Sequence, residues 1–219
     1  MEPIRFGDKT ITLFENGGDC VFIPTDAESG AKIHELLKNP CTLAVIEGVD
    51  WNRDLSPWAA KAAFRSGGDF GGGGEMFLNE LACAVRNLRE RTGFTRCFIA
   101  GYSLAGLFAL WSLTKTDIFD GAASVSGSLW FDGFCDYFES AKINAGQIYF
   151  SLGDREKNAR YERLAKVEDC TRRAFDHVRR LGPETIFELN PGGHFNEPEK
   201  RCARAIDWLI QKNIEEKVN

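Results

Sequence analysis

The stretch Phe98-Ile99-Ala100-Gly101-Tyr102-Ser103-Leu104-Ala105-Gly106-Leu107-Phe108 decides the fold. Residues 96–100 form an apolar run that reads as a buried strand, and Leu104 to Thr114 read as a helix. A single serine stands at the corner between them. So sharp a turn leaves no room for side chains on its flanks, and the residues two before and two after Ser103 are Gly101 and Ala105. Such a corner pushes the hydroxyl out over the carboxyl edge of a sheet. It also sets the serine at a helix N-terminus, where the Leu104 N–H and the helix dipole would favour a developing oxyanion. A serine that merely caps the helix would not need small neighbours on both sides.

Outward from this corner the chain alternates short apolar runs with amphipathic helical patterns, which predicts an α/β fold with a mostly parallel sheet. Strands are expected at 4–14 (a pair turning at Gly7-Asp8), 20–24, 42–46, 96–100, 122–125, 147–151 and 185–189. Helices are expected over 27–38, 75–91, 104–114 and 160–181, the last of these closed by Gly182-Pro183. A final helix would open at Asn196, with Pro198 in its first turn and Glu199 placed for a capping box. Its apolar positions Cys202, Ile206, Leu209 and Ile210 share one face. Crossover handedness then puts helices on both faces of the sheet. At 219 residues, the chain is expected to form one domain spanning 1–219.

Serine is a weak nucleophile without a base, and the chain has three histidines. His34 and His177 fall inside predicted helices and read as helix-surface residues. His194, in Asn190-Pro191-Gly192-Gly193-His194-Phe195, follows the last strand and so reaches the carboxyl edge where Ser103 lies. An orienting acid should follow the strand at 147–151. Asp154 and Glu156 both qualify: Glu156 has the longer reach, three residues after Gly153, and Asp154 is closer to the strand end.

Net charge is −5 and the pI is near 5.4, which excludes the basic footprint of a nucleic-acid binder. No run approaches the ~18 apolar residues of a membrane span, and no long basic stretch suits a membrane surface. The opening Met1 to Arg5 lacks an apolar signal core, and seven dispersed cysteines without metal spacing suit reduced thiols. These features point to the cytoplasm, with no membrane or nucleic-acid partner. A homo-oligomer stays open. The run Gly71 to Gly74 lacks the Lys-Ser or Lys-Thr of a phosphate-binding loop and reads as a hinge.

Together these motifs resemble the putative-esterase branch of the α/β hydrolases, which includes esterase D and enterochelin-esterase-like proteins. The likeness covers about residues 20 to 210. It rests on the decamer Gly101 to Leu110, on Ser126-Gly127-Ser128-Leu129-Trp130-Phe131, on Asn52-Arg53-Asp54-Leu55-Ser56-Pro57-Trp58 and on Gly193-His194. The resemblance implies the α/β-hydrolase fold and cleavage of esters or thioesters through an acyl-enzyme, with acyl transfer as the close rival and a silent binding module as the remote one. It implies a small-molecule ester substrate, no metal and no organic cofactor. It also implies a second oxyanion donor after the strand at 20–24, at Thr25 or Asp26.

The connection over 47–74 is long for a compact domain and reads as a binding loop. Its Trp51, Arg53, Trp58, Phe64 and Phe70, with Trp130 and Phe131 from the turn after 122–125, are candidate pocket residues; Trp51, Arg53, Trp130 and Phe131 are assigned to substrate binding. At least half of the aromatics are expected to pack as core instead. Only about twenty residues separate the strands at 122–125 and 147–151, which leaves no room for a cap domain.

Overall fold

The computed structural model describes residues 3–64 and 67–211; Met1 and Glu2 of the opening stretch lie outside them. Along the chain run β1 (Ile4–Phe6), β2 (Lys9–Phe14), β3 (Cys20–Pro24), α1 (Ala27–Leu36), β4 (Thr42–Glu47), α2 (Trp51–Asp54), β5 (Ala59–Ala60) and β6 (Phe70–Gly71). Then come α3 (Gly74–Thr92), β7 (Cys97–Tyr102), α4 (Leu104–Ser112), β8 (Gly121–Val125), α5 (Phe134–Ser140) and β9 (Gln147–Gly153). A 3-10 turn (Glu156–Asn158), α6 (Glu162–Ala165), α7 (Val167–Leu181), β10 (Glu184–Asn190) and α8 (Pro198–Ile210) complete the described chain.

Eight strands form one sheet in the order β1-β2-β4-β3-β7-β8-β9-β10. From β4 to β10 every pairing is parallel, while β1–β2 and β2–β4 are antiparallel. The central strands are buried on both faces, so their apolar runs are continuous rather than alternating. In β3, Cys20 and Phe22 face one core and Val21 and Ile23 the other; in β7, Cys97 and Ile99 oppose Phe98 and Ala100. The first core collects α3, α4, α5 and α7 through residues such as Phe77, Phe108, Phe134 and Val178. The second collects α1 and α8 through Ile33, Cys202, Ile206 and Leu209.

Three expected helices end differently. α1 stops at Leu36 because Leu37 turns extended, and the backbone amides of Lys38 and Asn39 then donate to Asp207 of α8. The helix expected over 160–181 is split: Lys166 ends α6 and starts α7, and the break lets Arg163 reach the carbonyls of Lys61 and Ala62. α8 opens at Pro198 behind Glu197, which has φ 50°, and no side chain caps it. Asn196 instead accepts from the Gly193 amide at 2.7 Å and closes the histidine loop, so the expected capping box is not built.

The glycine run is a packed crossing rather than a hinge. Gly72 has φ +71°, and a Cβ there would meet Ala59 N at 2.4 Å; one at Gly74 would meet Ser56 O at 2.8 Å. The amides of Gly72 and Gly74 donate to Ser56 Oγ and Ser56 O, which fastens the run beneath α2. All seven cysteines are free; Cys20, Cys41, Cys97 and Cys202 are buried, Cys135 and Cys170 half-buried, and Cys83 exposed. No helix of the described residues is long and apolar enough to cross a membrane.

Candidate active site

Ser103 sits between the last residue of β7 and the first of α4, with φ 58° and ψ −120°. A positive φ is rare outside glycine and is held only when the surroundings over-determine it. Here the Ser103 amide donates to Val125 O of the neighbouring strand, and its carbonyl accepts from the amides of Gly106 and Ser128. The need for a small residue at 101 is severe: a Cβ on Gly101 would lie 2.2 Å from the Ala105 carbonyl. Gly106, which the elbow motif alone does not single out, is under the same pressure, since a Cβ there would lie 2.9 Å from Gly101 O and 3.1 Å from Gly127 Cα.

Two loops close on this corner from β9 and β10. The Asp154 and Arg155 amides donate to Asn190 O and Gly192 O, and the Asp154 carboxylate accepts from the Gly192 amide at 2.8 Å. Asp154 therefore ties the two loops together through backbone and does not face the imidazole. Glu156, two residues further on at the start of the 3-10 turn, does. Its Oε2 lies 2.8 Å from His194 Nδ1, and His194 Nε2 lies 3.1 Å from Ser103 Oγ. The contacts suit a tautomer with the proton on Nδ1, which leaves Nε2 to accept from the serine.

Glu156 is buried, and its other oxygen accepts from Ser126 Oγ at 2.5 Å, the Gly153 amide at 2.6 Å and Arg201 Nη2 at 3.1 Å. Burial pushes its carboxyl pKa up, but hydrogen bonds from His194, Ser126 and the Gly153 amide outweigh burial and lower it to about 2. The carboxylate is thus held charged in the core. Arg201 also donates to the Tyr102 hydroxyl at 3.2 Å, and that hydroxyl donates to the His194 carbonyl.

Sequence reasoning missed Arg201, Tyr102, Ser126 and Ser128. Arg201 left a signal: it stands four residues before Ala205 and eight before Leu209, a cation on the buried stripe of α8. Ser128, almost fully buried, places its Oγ 3.3 Å from Ser103 Oγ. The other histidines are not plain surface residues. His34 stacks on Phe14 and His177 meets Phe138 edge-on, each with a buried Nε2 that finds no partner among the described residues.

Of the two predicted second oxyanion donors, Thr25 has its amide engaged elsewhere. The Thr25 amide donates to Ile46 O at 3.2 Å, continuing the sheet. Asp26 caps α1, its carboxylate accepting from Ser29 N at 2.9 Å and from the Ser29 hydroxyl at 2.8 Å. Leu104 occupies the first position of α4, where the N–H has no intrahelical acceptor.

A groove of about 450 Å³ opens at Ser103 and His194, walled by Phe64, Trp130, Leu164, Val167 and Phe195, with Arg155 at its side. Of the four predicted substrate contacts, only Trp130 lines it. Trp51 lies over a separate hollow of about 150 Å³ with Thr25 and Tyr102. Phe131 is buried between Trp58 and Phe70, so all three serve as core. Arg53 lies on the surface, paired with Asp54 and packed over Gly71 and Gly73. The break between α6 and α7, invisible as a helical pattern, supplies Leu164 and Val167. Among the described residues, no three His, Cys, Asp or Glu side chains converge as metal ligands.

The strand order, the elbow after β7 and the loops after β9 and β10 define the α/β-hydrolase fold. Solved structures that share it include a siderophore hydrolase of Aspergillus nidulans, 20% identical over 92% of this chain and 89% of that one, with a TM-score of 0.67. An enterochelin esterase of Shigella flexneri matches at 15% identity and TM-score 0.71 over 97% of this chain, which spans 59% of that longer protein. A Pyrococcus furiosus esterase matches at 15% identity and TM-score 0.64, covering 96% of this chain and 90% of that one. No family model and no curated sequence matches the chain.

Proposed function

We propose that the protein hydrolyses carboxylic esters or thioesters by a serine mechanism through an acyl-enzyme. The observation that carries this is the unbroken line from Ser103 Oγ through His194 to Glu156, with contacts of 3.1 and 2.8 Å at a strained strand–helix corner. His194 Nε2 takes the serine proton as Oγ attacks the carbonyl carbon. The imidazolium that forms is stabilised by the charged Glu156 beside Nδ1. The Leu104 N–H and the N-terminus of α4 receive the negative charge developing on the carbonyl oxygen. His194 then returns the proton to the leaving alcohol or thiol, and water repeats the sequence to release the acid. Further support comes from the neighbours of like fold, whose names are those of esterases and siderophore hydrolases.

The open, largely apolar groove suits a small-molecule ester with a bulky apolar part, presented without a cap domain. Fluorophosphonate labelling and turnover of short-chain p-nitrophenyl esters test the reading directly. The wild type should label and turn over, and Ser103→Ala should lose labelling and on the order of 10⁴-fold or more in kcat. An S103A protein with wild-type turnover, or a wild type that neither labels nor cleaves, would overturn it. The second result is the signature of a silent binding module. Adding an alcohol acceptor and analysing products separates hydrolysis from acyl transfer.

A further inference from the structure

Arg201 has only 3% of its surface exposed, although it is an arginine on the amphipathic helix α8. Taking a guanidinium out of water is costly unless its donors and charge are matched. Its two amino groups are matched in two different directions. Nη2 donates to Glu156 Oε1 at 3.1 Å and to Ser126 Oγ. Nη1 donates to the Tyr102 hydroxyl at 3.2 Å and to Gly193 O at 3.5 Å. The Tyr102 hydroxyl in turn donates to the carbonyl of His194 itself. The guanidinium also lies against the Tyr102 ring, 5.6 Å from its centroid.

One planar fork therefore holds the acid with one prong and the histidine loop with the other. Ser126 stands at the junction, donating to Glu156 and accepting from Arg201, in a backbone conformation with φ 49° that a serine seldom adopts. We infer that Arg201 is a positioning residue for the acid–base pair, registering Glu156 against the His194 loop with the Tyr102 hydroxyl as its second arm. This rests on the ester-cleaving reading of the site. Arg201 does not contact Ser103 and is not itself part of the groove lining, which it reaches only through Glu156, so it acts through the geometry of other groups. Without it, Oε1 would keep two of its three donors, but the histidine loop would lose its tie to the acid. A shift of about 1 Å between catalytic groups can cost ~10²-fold. Lysine would restore the charge but not the two-directional fork.

The test compares kcat and KM for a short-chain p-nitrophenyl ester in R201M, R201K and Y102F. Each rate is divided by the concentration of sites labelled to completion with a fluorophosphonate, which removes misfolded protein from the comparison. R201M should lose ~10²-fold in kcat, with R201K about tenfold down and Y102F about fivefold, each with KM within about twofold of wild type. The low-field NMR resonance of the His194 Nδ1 proton should move or broaden in all three. R201K and Y102F at wild-type kcat per labelled site would overturn the inference, even if R201M fails to fold. A purely structural role would give that same result, with fewer labelled sites of undiminished activity. An unlabelled, inactive wild type would be a different outcome and would remove the ester-cleaving reading along with this inference.

Discussion

The two flanks of Ser103 are built differently. Toward β8, β9 and β10, every group that would handle the proton is fixed by hydrogen bonds: the buried Glu156 by four partners, the histidine loop by Asp154, Asn196 and Tyr102. Toward β3, the Thr25 amide is spent on the sheet and the Asp26 carboxylate accepts from the end of α1. Proton transfer needs angles and distances that are set before substrate arrives, so the first flank is preorganised. On the proposed mechanism, oxyanion stabilisation on the second flank would lean on the helix N-terminus that the elbow itself creates. On the proposed mechanism, most of the catalytic construction lies on one side of Ser103.

The strongest way to break this contrast is Glu156→Gln. Glutamine keeps the shape, but its amide nitrogen must face either the three donors at Oε1 or the Nδ1–H of His194. Facing Nδ1, it would favour the tautomer protonated at Nε2, which cannot accept from Ser103. A loss of ~10³- to 10⁴-fold in kcat is expected, measured per labelled site. Stability should fall as well, by ~3–5 kcal/mol in urea unfolding, because Arg201 loses the charge that offsets its burial. Full activity in E156Q would mean that the proton-handling flank is not the catalytic one.

The same flank should govern acid stability. Glu156 drops from 4.5 to about 2 on folding. A carboxyl with a depressed folded pKa stabilises the protein fully above its unfolded value and loses that contribution as pH falls toward the folded one. The window is therefore from about pH 4.5 down to about pH 2, and the contribution at neutral pH is about 3 kcal/mol. Urea midpoints measured from pH 6 to pH 2.5 should fall more steeply in the wild type than in E156Q. Parallel curves would place the acid sensitivity elsewhere.

The sequence carried the first flank better than the second, and for physical reasons. Gly101, Ser103 and Ala105 announce the elbow because sterics at a sharp turn act on adjacent residues. His194 follows from strand order, since a parallel sheet gathers its loops at one edge. Glu156 and Asp154 differ only in where a tight turn points them, which depends on the Asp154–Gly192 contact across two loops. The oxyanion loop was placed by family resemblance, and whether the Thr25 amide was free depended on the Ile46 pairing, which no local pattern states. Pocket walls were least legible. Phe131 and Trp130 are neighbours of similar character, yet one is core and the other lines the groove, because a turn sends consecutive side chains apart.

The smallest effect sharpens the second flank. Asp26→Ala removes the acceptor for the amide and hydroxyl of Ser29, so α1 loses its N-cap and the protein should lose about 1 kcal/mol in stability. If this flank contributes only through α4, kcat should stay within about twofold of wild type while the melting temperature falls by a few degrees. A change in kcat of fivefold or more, at unaltered KM, would show that the Asp26 amide acts on the oxyanion after all. A fall of that size would mean that the cap between Asp26 and Ser29 positions the loop for catalysis.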